Sequence, residues 1–181
     1  MDMDTSHRNC LVGFTLVECT ITLAILSLLA GLAMPTLHKI RKQAELRGIL
    51  SSLTTELASA RVSAVSRRAA YVLCPSDDGT SCTRDGRWDR EWIGFHDGNR
   101  DHLPDSGAAI QSVHQHSTSG LSVYSGSGRP YVRYLPDGRS SGTNVTFRIC
   151  NEGSVLARVV VNNAGRVRTE LMQSPETCSN G

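Results

Sequence analysis

Lysine is almost absent from this 181-residue chain: Lys39 and Lys42 stand against 17 arginines. Positive charge is therefore carried by planar guanidinium groups, which suit bidentate phosphate contacts better than an ammonium does. Aromatic residues make up only 5% of the chain. No two cysteines have the C-x₂₋₄-C spacing of a structural zinc site. There is no phosphate-binding glycine loop, no activated nucleophile and no pair of catalytic carboxylates, so the residues give no case for an enzyme and require no cofactor. Internal repeats and low-complexity linkers are missing as well, as is any helix suited to reading the major groove of DNA.

What is present begins with one long apolar run. From Phe14 to Met34 there are 21 residues, and Glu18 is the only formal charge among them. As a helix this run covers roughly 30 Å, the thickness of a bilayer core. A secretory signal would explain the run, with His7 and Arg8 in front and a cut after Gly31-Leu32-Ala33, but it leaves Glu18 without a role. A carboxylate at bilayer depth costs about 2.5 kcal/mol or more and needs a partner. Arg8 precedes the run while Lys39, Arg41 and Lys42 follow it, the reverse of the usual positive-inside bias.

The stretch Gly13-Phe14-Thr15-Leu16-Val17-Glu18 resembles the processing site of type IV pilins and type II secretion pseudopilins. The resemblance implies that a prepilin peptidase cuts after Gly13 and methylates Phe14. Residues 1–13 are then a leader and 14–37 a transmembrane and assembly helix. Glu18 becomes the fifth mature residue and Pro35 the helix-kinking proline. Glu18 thereby gains a partner, the terminal amine of a neighbouring subunit in a filament; opposite charges in a low-dielectric bundle are tolerable as a pair. The implied location is the inner membrane, with the bulk of the chain in the periplasm, and then the pilus or cell surface.

Cys10 falls in that leader and Cys19 in the span, which leaves Cys74, Cys82, Cys150 and Cys178, an even number suited to an oxidising compartment. Three pairings are open; the short-loop choice is Cys74–Cys82 with Cys150–Cys178. Beyond Pro35, Leu46, Ile49, Leu50, Leu53, Leu57, Ala60 and Ala64 recur three or four apart, which predicts an amphipathic continuation of the helix over 38–69 lying across a sheet. The period then changes. Eight short β-prone runs are expected at 70–74, 91–96, 109–114, 120–124, 130–135, 144–150, 155–161 and 166–172, separated by turn signals such as Pro136-Asp137-Gly138 and Asn162-Asn163-Ala164-Gly165. One long helix packed on antiparallel sheet is an α+β arrangement, with 70–181 as the exported domain. The stretches 91–101, 134–142 and 156–170 resemble the GspH/FimT group of minor pilins and pseudopilins.

Charge is unevenly spread. Residues 77–105 hold eight acids and four arginines, a balance of −4; residues 129–168 hold seven arginines against Asp137 and Glu152, a balance of +5. Within the basic third lies Gly165-Arg166-Val167-Arg168. In a strand, Arg166 and Arg168 project from one face about 6.6 Å apart while Val167 faces the packed side. Two such guanidinium groups can each hold a phosphate of a nucleic-acid strand; charge protecting an exposed sheet edge is the alternative. The motif resembles the C-terminal G-R-x-R by which FimT-type minor pilins of naturally transformable bacteria bind DNA. That resemblance covers Gly165, Arg166 and Arg168, and implies electrostatic, sequence-independent binding of duplex DNA in uptake. Arg158, Arg148 and Arg133 are candidates to widen the patch. Phe147 is the only aromatic near the motif, so stacking on unpaired bases is not supported. A structural or initiator subunit without a DNA ligand is the alternative function. Asp97, Asn99 and Asp101 start like a calcium loop, but His102 stands where glycine is needed and Ala108 where the bidentate glutamate belongs. His114 and His116, with His96 or His102, could approach a metal, though solvent-exposed histidines are the simpler account; no metal is expected.

Overall fold

A computed structural model describes residues 15–105, 109–115, 120–126, 128–174 and 176–178. The expected processing residues Gly13 and Phe14, together with Ala108 and His116, lie outside the described residues. The chain divides into two compact units, 1–43 and 44–181.

Helix α1 runs Leu16–Arg67, through Pro35. It opens on Thr15, whose Oγ1 accepts a hydrogen bond from the Glu18 N–H at 3.2 Å, a standard N-cap. Within the first unit, Leu16, Ile21, Leu23, Leu26, Leu28 and Leu29 are all exposed. The hydroxyls of Thr20, Thr22 and Ser27 donate back to carbonyls three residues earlier, at 2.8–2.9 Å, so the polar residues of this stretch are satisfied inside the helix. Among the described residues no helix is long and apolar enough to cross a membrane. The expected span 14–37 includes Phe14 and the side chains at 32, 33, 35 and 36, which are not described.

In the second unit the stripe Ile49, Leu50, Leu53, Leu57, Ala60 and Ala64 is buried, as its spacing requires. The helix ends in a Schellman motif: Ala69 N–H donates to Ala64 O at 3.2 Å and Arg68 N–H to Val65 O at 3.3 Å. Its left-handed residue is Arg68, at φ 51°, in the position glycine usually takes.

Eight strands follow: β1 Tyr71–Ser76, β2 Glu91–His96, β3 Ile110–Gln115, β4 Leu121–Ser125, β5 Val132–Tyr134, β6 Val145–Asn151, β7 Ser154–Val161 and β8 Val167–Leu171. They form two four-stranded antiparallel sheets, ordered β3-β2-β1-β5 and β4-β6-β7-β8. One core joins the helix stripe to the inner faces of both sheets, with Trp88, Trp92, Tyr134 and Phe147 as its largest members. A second, smaller core of Val72, Cys74, Ile93 and Phe95 covers the other face of the first sheet. Strand β1 is consequently buried at all six positions. Disulfides join Cys74 to Cys82, beside the smaller core, and Cys150 to Cys178, which ties the C-terminal tail to β6.

Candidate nucleic-acid interface

The β7–β8 loop is closed by Asn162. Its backbone oxygen accepts from Gly165 N–H at 2.8 Å, its Oδ1 accepts from Arg166 N–H at 2.9 Å, and its N–H donates to Arg166 O at 3.1 Å. Asn163 fastens the loop outward, donating to Asn144 Oδ1 at 3.2 Å and accepting from Ser140 N–H at 3.1 Å. Gly165 sits at φ 74°, and a Cβ there would lie 2.0 Å from the backbone oxygen of Gly138. That same oxygen accepts from Arg61 Nε at 2.9 Å. Only glycine fits, on both conformational and steric grounds. Helix, turn and hairpin tip are thus locked at one point.

This lock aims the motif. Val167 packs against the main core while Arg166 and Arg168, on either side of it, are exposed. Arg168 lies opposite Val160 in register, and its Nε is 3.0 Å from Glu170 Oε1. Both side chains of that pair are well exposed, at 69% and 40%, so the contact is worth at most about 1 kcal/mol and is readily exchanged for another anion.

The other arginines divide. Arg148, Arg158 and Glu170 form a cross-strand row on β6, β7 and β8. Arg158 is ion-paired with Glu176 of the tethered tail. Arg133, a candidate to widen the patch, is not brought to it: the side chain is buried with its Nε 2.9 Å from Asp97 Oδ2. The two atoms are close without hydrogen-bond alignment, so this is a charge contact, and a buried one whose partner cannot be released cheaply. Arg139 is committed to Asp137, accepted at 2.6 Å; hydrogen bonds from the Arg139 N–H and side chain hold the Asp137 carboxyl below its ordinary range. Residues that the sequence did not single out complete the site: Gly138, legible as a turn signal but not as a contact of Gly165, and Arg129, which no local pattern marks.

The calcium-like loop is internally satisfied. Asn99 Nδ2 donates to Asp101 at 2.9 Å and Asp105 at 2.8 Å, while Asp97 faces Arg133. His114 stacks on Trp92, with ring centroids 4.8 Å apart. Among the described residues no three histidines, cysteines or carboxylates converge as a metal site.

A long N-terminal helix buried along one stripe against antiparallel sheets is the architecture of a type IV pilin-like protein. Residues 50–165 match the family model described as "Type II transport protein GspH", more than half of the sequence, and the chain belongs to that family. Two solved structures of the type IV minor pilin FimU of Pseudomonas aeruginosa share the fold. One crystal form gives a TM-score of 0.56 at 22% identity, covering 74% of this chain and 99% of that one. A second gives 0.59 at 22% identity, covering 76% and 98%. No curated protein matches. The protein is thus a GspH-type chain with the fold of a type IV minor pilin. The family match stops at Gly165, so Arg166 and Arg168 lie beyond it.

Proposed function

We propose that this minor pilin binds duplex DNA without sequence preference and serves DNA uptake in natural transformation. The observation that carries the reading is the Gly165 lock, beside which Arg166 and Arg168 are exposed on either side of the half-buried Val167. A hairpin backbone fixed in advance loses little freedom when its two exposed guanidinium groups meet phosphates. Subunits would be anchored in the inner membrane by residues 14–37, processed at Gly13-Phe14 by a prepilin peptidase, and carried into a filament through Glu18 and Pro35.

A second reading, a structural or initiator subunit of a pilus or type II secretion pseudopilus, is favoured by the ion pairs Arg168–Glu170 and Arg158–Glu176, which reduce the field of the same face. Titration of duplex DNA against the detergent-solubilised chain separates the two. The wild type should bind with an affinity that falls as salt rises. Arg166→Gln and Arg168→Gln should each reduce the slope of log K against log salt by about 0.9. Equal binding by wild type and double variant would leave the structural reading.

A further inference from the structure

Beside the hairpin, a cavity of about 360 Å³ opens between the β4–β5 connection and the start of β6. Its described lining includes Arg129, Arg148, Thr143, Asn144 and Thr146, and among the described residues no carboxylate lines it. The chemistry is that of an anion site: two cations, two hydroxyls and an amide. Asn144 uses its Oδ1 to accept from Asn163, which leaves its Nδ2 as a donor. Arg129 is braced by donating from Nη1 to Ser141 O at 2.6 Å.

Arg148 is the decisive residue. Its Nε and Nη2 are buried, and among the described residues neither finds an acceptor. Guanidinium nitrogens withdrawn from water without an acceptor are costly, and native proteins rarely leave them so. The cost is offset when a mobile anion enters, and a tetrahedral oxyanion can accept from both buried nitrogens at once. Position then narrows the source. Asn144 is shared between the cavity and the hairpin turn. Thr146 of the lining, Val160 and Arg168 lie opposite one another across β6, β7 and β8. Two strand spacings separate Thr146 from Arg168, about 10 Å, close enough for both places to meet the same DNA strand.

We infer that the cavity is a subsite for one backbone phosphate of a DNA strand, held by Arg148 and Arg129, which fixes the strand relative to Arg166 and Arg168. The inference rests on the DNA-binding reading of the hairpin and adds a built pocket to an exposed patch.

The test has two arms on the full chain in uncharged detergent. In the first, inorganic phosphate is added at constant ionic strength against chloride while the melting temperature is followed. Phosphate should raise it in the wild type and not in Arg148→Gln or Arg129→Gln. In the second, duplex DNA is titrated across salt concentrations, and each of these variants should lower the slope by about 0.9, in addition to the loss from Arg166→Gln and Arg168→Gln. Thr146→Val keeps shape while removing a donor and should weaken both responses; it serves if Arg148→Gln fails to fold. If phosphate acts no differently from chloride, and Arg129→Gln and Thr146→Val bind DNA as the wild type does, the subsite is overturned while the hairpin can still stand. A phosphate response without any change in DNA slope means a small-anion site only, and overturns the strand contact. Loss of DNA binding in the pocket variants alone, with the hairpin double variant unaffected, removes the hairpin reading and keeps the pocket.

Discussion

Two residues carry most of what can be decided at the scale of single side chains. Gly165→Ala forces a left-handed alanine, at a cost of roughly 1–2 kcal/mol from conformation alone, and drives a methyl carbon to within 2.0 Å of Gly138 O. The tip must move, so the variant should melt lower by more than the conformational cost and bind DNA more weakly while keeping both arginines. Unchanged melting would mean that the contact with Gly138 is not held in solution. His96 makes a pH prediction. Its Nδ1 lies 3.3 Å from Ala70 O, and its Nε2 is buried with no hydrogen-bond partner among the described residues. Burial lowers its pKa, and the nearby charge of Arg67 lowers it further against the opposing bond to Ala70. The unfolded chain therefore takes up a proton first as pH falls. Stability should be full above the ordinary histidine value near 6.5 and should decline as pH drops from there towards the folded value. Denaturant melts of wild type and His96→Gln should diverge in that window, the variant lacking the decline.

At the scale of elements, the end of α1 is an imperfect version of a good device. The Schellman hydrogen bonds are made around Arg68 at φ 51°, a conformation glycine adopts freely. Arg68→Gly should raise stability by about 0.5–1 kcal/mol in denaturant melts; a loss would show that the arginine side chain contributes more than its backbone costs. The sequence expectation of 38–69 ends two residues beyond Arg67, because the apolar spacing from Leu46 to Ala64 runs out there and no glycine marks the stop. All eight strands were legible for a similar reason: each is a short β-prone run between turn residues, and β4 and β6 up to Ile149 alternate buried and half-buried positions. Their division into two sheets was not legible, because β1 pairs with the distant β5 and nothing in a three-residue strand names its partner. The same blindness affected Arg133. In one dimension it resembles Arg148, an arginine within an apolar run, and only the pairing with β1 and the nearness of Asp97 separate a buried, ion-paired cation from a half-buried one on the β6–β7–β8 face. The Gly165–Gly138 contact was hidden likewise, two turn glycines whose meeting is a property of the assembled hairpins.

For the whole molecule, net charge is only +2, and the consequences lie in where charge sits. The first unit presents exposed leucines and isoleucines whose water contact is unfavourable, the hydroxyls of Thr20, Thr22 and Ser27 are bonded internally, and Glu18 is the single carboxylate between Thr15 and Lys39. On the proposed function this helix passes from lipid into the helices of neighbouring subunits, and within such apolar surroundings Glu18 would need a cation. Cleavage after Gly13 would create one, an amine on Phe14, at the start of the same apolar segment. Mass spectrometry of protein recovered from its host should therefore find methylated Phe14 as the first residue. Glu18→Gln removes the charge and keeps the shape, so the second unit should melt as in the wild type while incorporation into sheared filaments is lost, with the variant retained in the membrane fraction. If the glutamine variant enters filaments normally, burial of an amide suffices, and the charge pairing is not what holds the subunit in its assembly.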